Sequence, residues 1–548
     1  MAQAALPASP EEVPAHEGVA RSGRAWTAAA VAVGLLALLI PPFIVDVPPV
    51  MDYPNHFARM WLLSGAAGDG PTTAMYAPDW ARASTNIGID VIAATAGRLV
   101  DMQVLAPLLL ALSIALPPLG AVVLNRTLFG GWSPWQIGFA ALGWSFSAIT
   151  GFMNFQIGVG VALLAAACEP GLARRGPWVA AAGRFAFGAL LIIWHPMDVV
   201  FYAALLGGFA LGPRVELSTP AAFRASAFRV APALAAALVP LALLYLLAPA
   251  IPGGEPDGMP RIGWSGEPLR SLWSAFMTYG PAFDAPIALA LVAVVGLALA
   301  RPRIQCHRGL LLAAGAIGIV AVGMPHKMAD NFYMDHRLPI MALLTAVAAV
   351  RPEPFGRPRN AAMLGAALLA LTLHRTAAVA WVWVQRQADV QAVERALGRV
   401  PPGSRVMPTL HFPSDAVVRT APVGRFVSDG AAFWHLGALA VPRRQAFVAN
   451  LFTAAGKQPL LVKPPFDAID SPNGSIASFS ALDRADADIP IRVDYLRGWR
   501  RRFDYVLVLN TDMPDEYPGG VFPELELVTD EGFARLYRIR KPPVASVP

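Results

Sequence analysis

The chain has 548 residues, of which 55% are hydrophobic and only 15% are charged, and its mean hydropathy is +0.49. Soluble globular proteins carry about 25% charged residues, so this composition excludes a soluble protein, a disordered chain and a nucleic-acid-binding protein that works through a basic face. The formal net charge of +6 is typical of a membrane protein oriented by Lys and Arg, and two cysteines are too few for a disulfide framework.

The charged residues divide the chain into three parts. Residues 385–548 contain 38 charged residues among 164, about 23%, whereas residues 1–384 contain 42, about 11%. Residues 1–25 are polar and rich in Ala, Pro and Glu, which is typical of a disordered tail. The composition therefore predicts a disordered tail at 1–25, a transmembrane domain at 26–384 and a soluble domain at 385–548.

The transmembrane domain contains about eleven apolar runs. The first, Trp26–Val45, is long enough to cross the ~30 Å hydrocarbon core of a bilayer. A cleaved signal peptide is the alternative for this run, but Ile40-Pro41-Pro42 is not a small-x-small cleavage site. The other runs are 102–124, 135–151, 155–170, 177–194, 197–212, 230–250, 284–300, 309–324, 338–350 and 361–384.

The basic residues predict the orientation of these runs. Arg21 and Arg24 precede the first run, which favours a cytoplasmic N-terminus. With eleven spans the soluble domain then lies outside, and 15 Lys and Arg residues fall in cytoplasmic segments against seven in outer loops. This ratio agrees with the positive-inside rule. Arg375 lies inside the last run, so either that helix continues beyond the membrane or Arg375 faces a polar cavity.

The first outer loop, residues 46–101, is long and begins with a polar motif. Asp52, Pro54, His56 and Arg59 follow one another at its start, and His56 and Arg59 share a helix face because they are three residues apart. Two stretches, at about 54–67 and 87–100, predict helices that lie along the outer membrane surface.

Two further outer loops carry candidate site residues. His195-Pro196 separates two apolar runs, and seven of the thirteen residues at 325–337 are Asp, His, Lys, Arg or Asn. The candidates in this second loop are His326, Lys327, Asp335, His336 and Arg337. No cytoplasmic loop has this mixture, so the sequence predicts a site at the outer membrane face.

This arrangement resembles the GT-C glycosyltransferases, integral membrane enzymes that move sugars from polyprenyl-phosphate carriers. Within that class the chain resembles bacterial proteins with a D-x-P-x-H-x-x-R signature in the first outer loop, which Asp52, Pro54, His56 and Arg59 supply. The resemblance covers residues 26–384 and implies a bacterial inner-membrane enzyme with a periplasmic C-terminal domain. Many members have two adjacent acids in this loop, whereas Tyr53 follows Asp52 here.

The resemblance and the residue types together suggest roles. Asp52 is the candidate base, with His56 beside it, and an N-cap of the following helix is the alternative for Asp52. The candidates for binding the substrate or its phosphate are Arg59, His195, His326, Lys327, Asp335, His336 and Arg337. Headgroup contacts, a helix turn at His195 and a cap at Asp335 are the structural alternatives. The His and Asp residues could bind a divalent cation, although no ligand spacing is recognisable.

The soluble domain is predicted to be α/β. A short helix at 387–398 precedes a strand at 405–410, residues 503–509 form a buried-strand pattern, and 525–539 predicts a hairpin. The function expected is transfer of a sugar from a polyprenyl-phosphate carrier to an envelope glycan, lipid or protein. A transporter or flippase for a lipid-linked saccharide and a noncatalytic subunit of envelope assembly remain as alternatives.

Overall fold

The computed structural model describes residues 15–215, 219–247, 262–264, 269–300, 304–328, 331–352, 358–427, 430–485, 494–516 and 522–541. The described chain forms a helical bundle up to residue 385 and a C-terminal α/β domain from residue 386, which confirms the predicted fold class. Residues 1–14 of the predicted disordered tail lie outside the described residues. Residues 15–25 are helical, which differs from the tail prediction, because the first helix begins at Ala15 and continues into the apolar run.

The bundle consists mostly of apolar helices. Seven described helices are long and apolar enough to cross a membrane, and three shorter ones are similarly apolar. The helices up to residue 385 are α1 (Ala15–Leu38), α2 (Tyr53–Leu63), α3 (Gly88–Thr95), α4 (Met102–Phe129), α5 (Phe146–Ile149), α6 (Met153–Arg174), α7 (Pro177–Trp194), α8 (Pro196–Leu211), α9 (Pro220–Leu247), α10 (Arg270–Trp273), α11 (Pro281–Leu299), α12 (Arg308–Gly323), α13 (Leu338–Ala348) and α14 (Pro358–Gln385).

The predicted span at 135–151 is not one α-helix. It consists of a 3-10 helix at Pro134–Gly143, two linking residues and the four-residue α5. The segment is closely packed, because a Cβ at Gly143 would lie 2.8 Å from Leu38 of α1 and 2.9 Å from a carbonyl oxygen of α4. A ten-residue 3-10 helix extends ~20 Å, so this segment still runs between the two ends of the bundle.

Hydrogen bonds define which helix ends lie together. Asp52 N–H donates to Thr150 O at 3.0 Å, and Arg337 lies 3.2 Å from His195, so these loops share one end, called here the site end. At the opposite end, Asn125 donates to Ala348 O at 2.9 Å. Strands β3 (Ile304–Cys306) and β5 (Val350–Pro352) also pair there. The candidate residues of the three predicted outer loops therefore all lie at the site end.

The outward surface of the bundle is apolar. Ile319 of α12 is 76% exposed and Leu246 of α9 is 79% exposed, as expected of side chains that face lipid. Arg375 is a charged residue within the apolar helix α14, and it is only 1% exposed. One nitrogen of its guanidinium donates to Trp144 O at 2.9 Å and to Phe276 O at 2.6 Å, so backbone carbonyls satisfy it in part. This charge is held within the bundle and faces neither the solvent nor lipid.

The two helices predicted for the first outer loop are present, as α2 and α3. Nine of the eleven residues of α2 are buried, and it packs against α3, α4 and the C-terminal domain. Helix α2 is therefore enclosed between the bundle and the C-terminal domain, which differs from a helix lying on the membrane surface. The reason is that both of its faces have protein partners.

The C-terminal domain is built on a six-stranded mixed sheet. Strand β6 pairs in parallel with β12, which pairs antiparallel with β14, and β13–β14 is the predicted hairpin. Its helices are α15 (Gln387–Leu397), α16 (Asp415–Thr420), α17 (Ala440–Arg444) and α18 (Trp499–Arg502). The sheet strands are β6 (Arg405–Leu410), β9 (Phe447–Val448), β11 (Ala477–Ser478), β12 (Tyr505–Leu509), β13 (Leu525–Asp530) and β14 (Ala534–Ile539).

The remaining short strands connect distant segments. The C-terminal domain docks on the site end partly through β1 and β10, which pair antiparallel with Tyr76 opposite Val462. One hydrophobic cluster continues from the bundle through α2 into the sheet of the C-terminal domain. The short strands are β1 (Tyr76–Pro78), β2 (Ile262–Gly263), β4 (Lys327–Met328), β7 (Phe426–Val427), β8 (Gly430–Ala431) and β10 (Leu460–Val462).

Candidate active site

A cavity of about 770 Å³ lies between the site end of the bundle and the C-terminal domain. Its size is that of a small-molecule site, which commonly encloses about 300–1,000 Å³. The bundle side of the lining includes Asp52, His56, Phe152, Phe155 and Arg337. The C-terminal side includes Trp434, His435, Phe452, Lys457 and Asn473. The cavity thus combines a carboxylate, cationic groups and aromatic rings from both parts of the chain.

Asp52 is the carboxylate of this cavity. It occupies the N-cap position of α2, but its side chain makes no capping hydrogen bond, so the cap does not explain this residue. Its Oδ1 atom lies 3.4 Å from His435 Nε2 of the C-terminal domain. The side chain is 16% exposed, which leaves part of the carboxylate accessible from the cavity.

Arg337 is the buried cation on the same cavity. Its guanidinium carbon lies 3.9 Å from the centre of the Phe152 ring, and Nη1 lies 3.2 Å from His195 Nε2. Burial lowers the pKa of Arg337 to about 10, while the charges of Asp52 and Asp198 oppose this shift. The group therefore stays protonated at neutral pH. Its Nε has no hydrogen-bond partner among the described residues, so the guanidinium retains capacity to bind an anion.

His195 lies behind Arg337, at the junction of α7 and α8. Its Nδ1 accepts from Met197 N–H at 3.2 Å and so caps α8. Burial lowers the pKa of His195 well below 6.5, and the charges of Arg337 and Lys457 lower it further. A neutral imidazole has one acceptor nitrogen, so His195 cannot accept from both Met197 and Arg337 at once. The contact with His195 therefore leaves Arg337 incompletely satisfied.

His56, Arg59 and Asp90 form a hydrogen-bonded chain beside the cavity. Arg59 is fully buried and donates to both carboxylate oxygens of Asp90, at 2.7 and 3.2 Å. His56 Nε2 donates to Gly151 O at 3.2 Å, so its Nδ1 accepts from Arg59. Burial lowers the pKa of His56 well below 6.5, and Arg59 lowers it further. Asp90 neutralises Arg59, which does not line the cavity, so Arg59 is not placed to bind a phosphate.

The remaining candidates form a cluster next to the cavity. His326 Nδ1 donates to Asp335 Oδ1 at 3.1 Å, and His336 packs on Tyr333 with ring centres 5.7 Å apart. Lys327 is on β4, with its Nζ 5.1 Å from the centre of the Phe332 ring. None of these four predicted site residues is part of the cavity lining, although Tyr333 and Phe332 are.

This cluster is the one described group whose chemistry suits a metal ion. His326, Asp335 and His336 offer ligand atoms within 4.8 Å of one another. Burial alone would raise the pKa of Asp335, but the hydrogen bond from His326 and the nearby His336 lower it below 3.8. Two imidazoles and an ionised carboxylate match the ligands of a divalent transition metal. Asp335 Oδ1 is already engaged by His326 and by His336 N–H, so this carboxylate oxygen also has hydrogen-bond donors within the protein.

Three residues of the site were not predicted from the sequence. His435 and Lys457 come from the C-terminal domain, where no catalytic motif is visible. Asp198 is fully buried in the first turn of α8, and neither carboxylate oxygen has a hydrogen-bond partner among the described residues. A Cβ at Gly158 would lie 1.7 Å from Asp198 Oδ2, so a glycine makes room for this carboxylate. The short turn His195-Pro196-Met197-Asp198, which places one acid between two apolar runs, was the available signal for Asp198.

Comparison with known proteins gives structural similarity only. No known protein family and no curated protein matches the sequence. The structure of ArnT from Cupriavidus metallidurans bound to undecaprenyl phosphate is similar with a TM-score of 0.45 and 11% identity, over 95% of this chain and 98% of that chain. The apo structure of the same protein gives a TM-score of 0.47 and 12% identity, over 96% and 100%. A functional assignment therefore has to rest on the geometry of the cavity.

Proposed function

We propose that the chain is a membrane glycosyltransferase that transfers a sugar from a polyprenyl-phosphate carrier to an envelope glycan, lipid or protein. The observation that supports this most is the presence of Asp52 and Arg337 on one cavity at the end of an apolar bundle. A transfer of this kind needs a base for the acceptor and a cation for the leaving phosphate. The cavity supplies both kinds of group.

Asp52 acts on the acceptor in this mechanism. Its carboxylate takes the proton of the acceptor hydroxyl while that oxygen bonds to the anomeric carbon of the sugar. The bond between the anomeric carbon and the phosphate oxygen breaks, and its electron pair leaves with the polyprenyl phosphate. The absence of a capping hydrogen bond leaves the Asp52 carboxylate available for this role.

Arg337 acts on the donor. A guanidinium binds two phosphate oxygens at once, and this interaction strengthens as the phosphate gains charge on leaving. The unpartnered Nε and the incomplete bond to His195 make Arg337 ready for such a ligand. Phe152 holds the plane of the guanidinium from one side, which fixes the direction of its donors.

His56 and Arg59 support Asp52 in this proposal and do not react. Both ring nitrogens of His56 are occupied by Gly151 O and Arg59, so the ring has no nitrogen left to accept a proton. The Arg59–Asp90 pair anchors α2 to α3. The helix that begins at Asp52 is thereby held in place.

We infer that the cavity faces the outside of a bacterial inner membrane, with the N-terminus in the cytoplasm and the C-terminal domain outside. The positive-inside asymmetry of the loops supports this orientation. The charged groups of the cavity lie at one end of the bundle, which favours chemistry at the membrane surface over transport through the bundle. A noncatalytic subunit would have no need of an uncapped carboxylate beside a buried cation.

The test is sugar transfer in membranes that contain the protein. A panel of radiolabelled monosaccharides on polyprenyl-phosphate carriers is supplied, and label in glycan, lipid and protein fractions is measured. The Asp52→Asn variant keeps the size of the side chain and removes its basicity. We expect a loss of about 100-fold or more, because general-base catalysis contributes about 10²–10⁴.

Asp101→Asn is the matched control. Asp101 is a true N-cap, since its Oδ1 accepts from Gln103 N–H at 2.8 Å at the start of α4, and Asn caps a helix equally well. This variant should retain activity. Sugar transfer by Asp52→Asn at the wild-type rate would show that Asp52 is not the base. If the wild type transfers no sugar from any of the carriers, the proposal that the chain is a glycosyltransferase is rejected.

A further inference from the structure

The C-terminal domain approaches Asp52 with the side chain of His435. This residue is 4% exposed, lines the cavity and lies 3.4 Å from Asp52 Oδ1 through its Nε2. It follows Trp434 in the segment that packs on α2. Since α2 begins directly after Asp52, the two residues meet where the C-terminal domain docks on the bundle.

The hydrogen bonds around Asn55 fix the orientation of this imidazole. Asn55 Oδ1 accepts from Phe452 N–H at 2.8 Å, and Asn55 Nδ2 donates to Asn450 O at 2.8 Å. The amide is therefore oriented by two backbone groups. Its Nδ2 also lies 3.3 Å from His435 Nδ1. Because Nδ2 is a donor, Nδ1 of His435 must be the acceptor.

This arrangement decides which nitrogen of His435 carries the proton. A neutral imidazole with an acceptor at Nδ1 has its N–H at Nε2, which is the atom that faces Asp52. The ring is confined on its other sides, because it lies edge-on to Phe452 at 4.9 Å and a Cβ at Gly474 would lie 2.8 Å from its Cε1. The N–H is thus on the nitrogen that lies 3.4 Å from the carboxylate, and the ring is held in a confined environment.

We propose that His435 is a positioning residue for Asp52, so that the C-terminal domain completes the catalytic carboxylate of the bundle. The N–H of His435 Nε2 holds Asp52 Oδ1, and the second oxygen is presented to the acceptor hydroxyl.

The substitutions His435→Gln and His435→Asn separate this role from general packing. A Gln side chain can place an N–H donor near the position of Nε2, whereas Asn reaches only the position of Nδ1. We expect His435→Gln to retain transfer within a few-fold of the wild type. His435→Asn should lose at least 30-fold in kcat, with the KM for the donor unchanged. Equal activity of the two variants would overturn the proposal.

His411→Asn is the matched control in the same domain. Its Nδ1 contacts Met513 O at 3.0 Å and the residue is not part of the cavity lining. This variant removes an imidazole from the C-terminal domain without touching Asp52. It should retain wild-type transfer, and a loss as large as that of His435→Asn would assign the effect to the domain as a whole and overturn the proposal.

The role of His435 in catalysis rests on the proposed function. A second experiment therefore tests the contact between His435 and Asp52 without measuring sugar transfer. Thermal unfolding of Asp52→Asn, His435→Phe and the double variant forms a double-mutant cycle. Interacting side chains give a double variant whose shift in Tm differs from the sum of the single shifts. Additive shifts would overturn the proposal, whatever the activity. If the two substitutions are coupled but the wild type transfers no sugar, the glycosyltransferase proposal is rejected while the contact between His435 and Asp52 is retained.

Discussion

Arg337 is the residue whose substitution separates a phosphate site from a membrane anchor most clearly. Arg337→Ala removes the cation from the cavity, and Arg337→Lys keeps a charge but loses the planar pair of donors. We expect both variants to bind a polyprenyl phosphate less tightly than the wild type, and we expect Arg337→Ala to bind it less tightly than Arg337→Lys. Lys is not a conservative replacement where a guanidinium binds two oxygens and stacks on a ring, as it does on Phe152 at 3.9 Å.

The size of the effect follows from the contacts. Two charged hydrogen bonds are lost with Ala, and because each contributes about 1.5–3 kcal/mol, the loss is on the order of 3 kcal/mol or more. Since 1.4 kcal/mol is a factor of ten, Kd should rise about 100-fold or more. Lys keeps one bond but loses the second, about 1.5 kcal/mol, together with about 0.5 kcal/mol from the ring contact, so its Kd should rise about 30-fold.

The assay is retention of a radiolabelled polyprenyl phosphate by the purified protein in lipid nanodiscs. The matching polyprenol without a phosphate serves as the ligand control, and its binding should not change. Arg126→Lys is the protein control, because its guanidinium also lies 3.9 Å from a ring centre, that of Trp132, but outside the cavity lining. Wild-type affinity of both Arg337 variants would refute the phosphate site and leave Arg337 as a structural cation.

Three other predictions concern stability and orientation. Asp90→Asn leaves the Arg59 charge buried and should destabilise the protein by about 3–5 kcal/mol, measured as a lower melting temperature in detergent; an unchanged value would contradict the buried ion pair. Because the pKa of His56 is lowered in the folded protein, the unfolded chain takes up the proton first as the pH falls. The free energy of unfolding is therefore unaffected by His56 above pH ~6.5 and decreases below it. The wild type should therefore lose up to about 1.4 kcal/mol per pH unit more than His56→Gln between pH 6.5 and 5, and parallel curves would exclude this titration. Reporter fusions at Arg175 and Pro548 should read cytoplasmic and external respectively, and a cytoplasmic reading at Pro548 would contradict the orientation.

The helical part of the fold could be predicted because long apolar runs have few alternatives. The exception was 135–151, where hydropathy predicts a span but cannot distinguish an α-helix from a 3-10 helix. The close approach of Leu38 and α4 to Gly143 is a matter of tertiary packing, which hydropathy does not report. In the soluble domain, the buried pattern at 503–509 and the hairpin at 525–539 marked strands correctly.

The polar residues of the site were harder to assign, because their roles depend on partners that are distant in sequence. The spacing of His56 and Arg59 indicated that they share a face, and they are in contact at 3.2 Å. Nothing in the sequence showed that Asp90, 31 residues away, neutralises Arg59. His435 is 383 residues from Asp52, and no local motif connects them. Pairing across such distances follows from docking of the C-terminal domain.

The central claim is that a sugar leaves its polyprenyl phosphate in the cavity between the bundle and the C-terminal domain. The most direct measurement is an electron cryo-microscopy map of the protein in lipid nanodiscs with a bound polyprenyl phosphate. We predict density for the phosphate within hydrogen-bond distance of the Arg337 guanidinium, in the space that Asp52 also lines. Phosphate density outside this cavity, for example beside Arg375 within the bundle, would contradict the account.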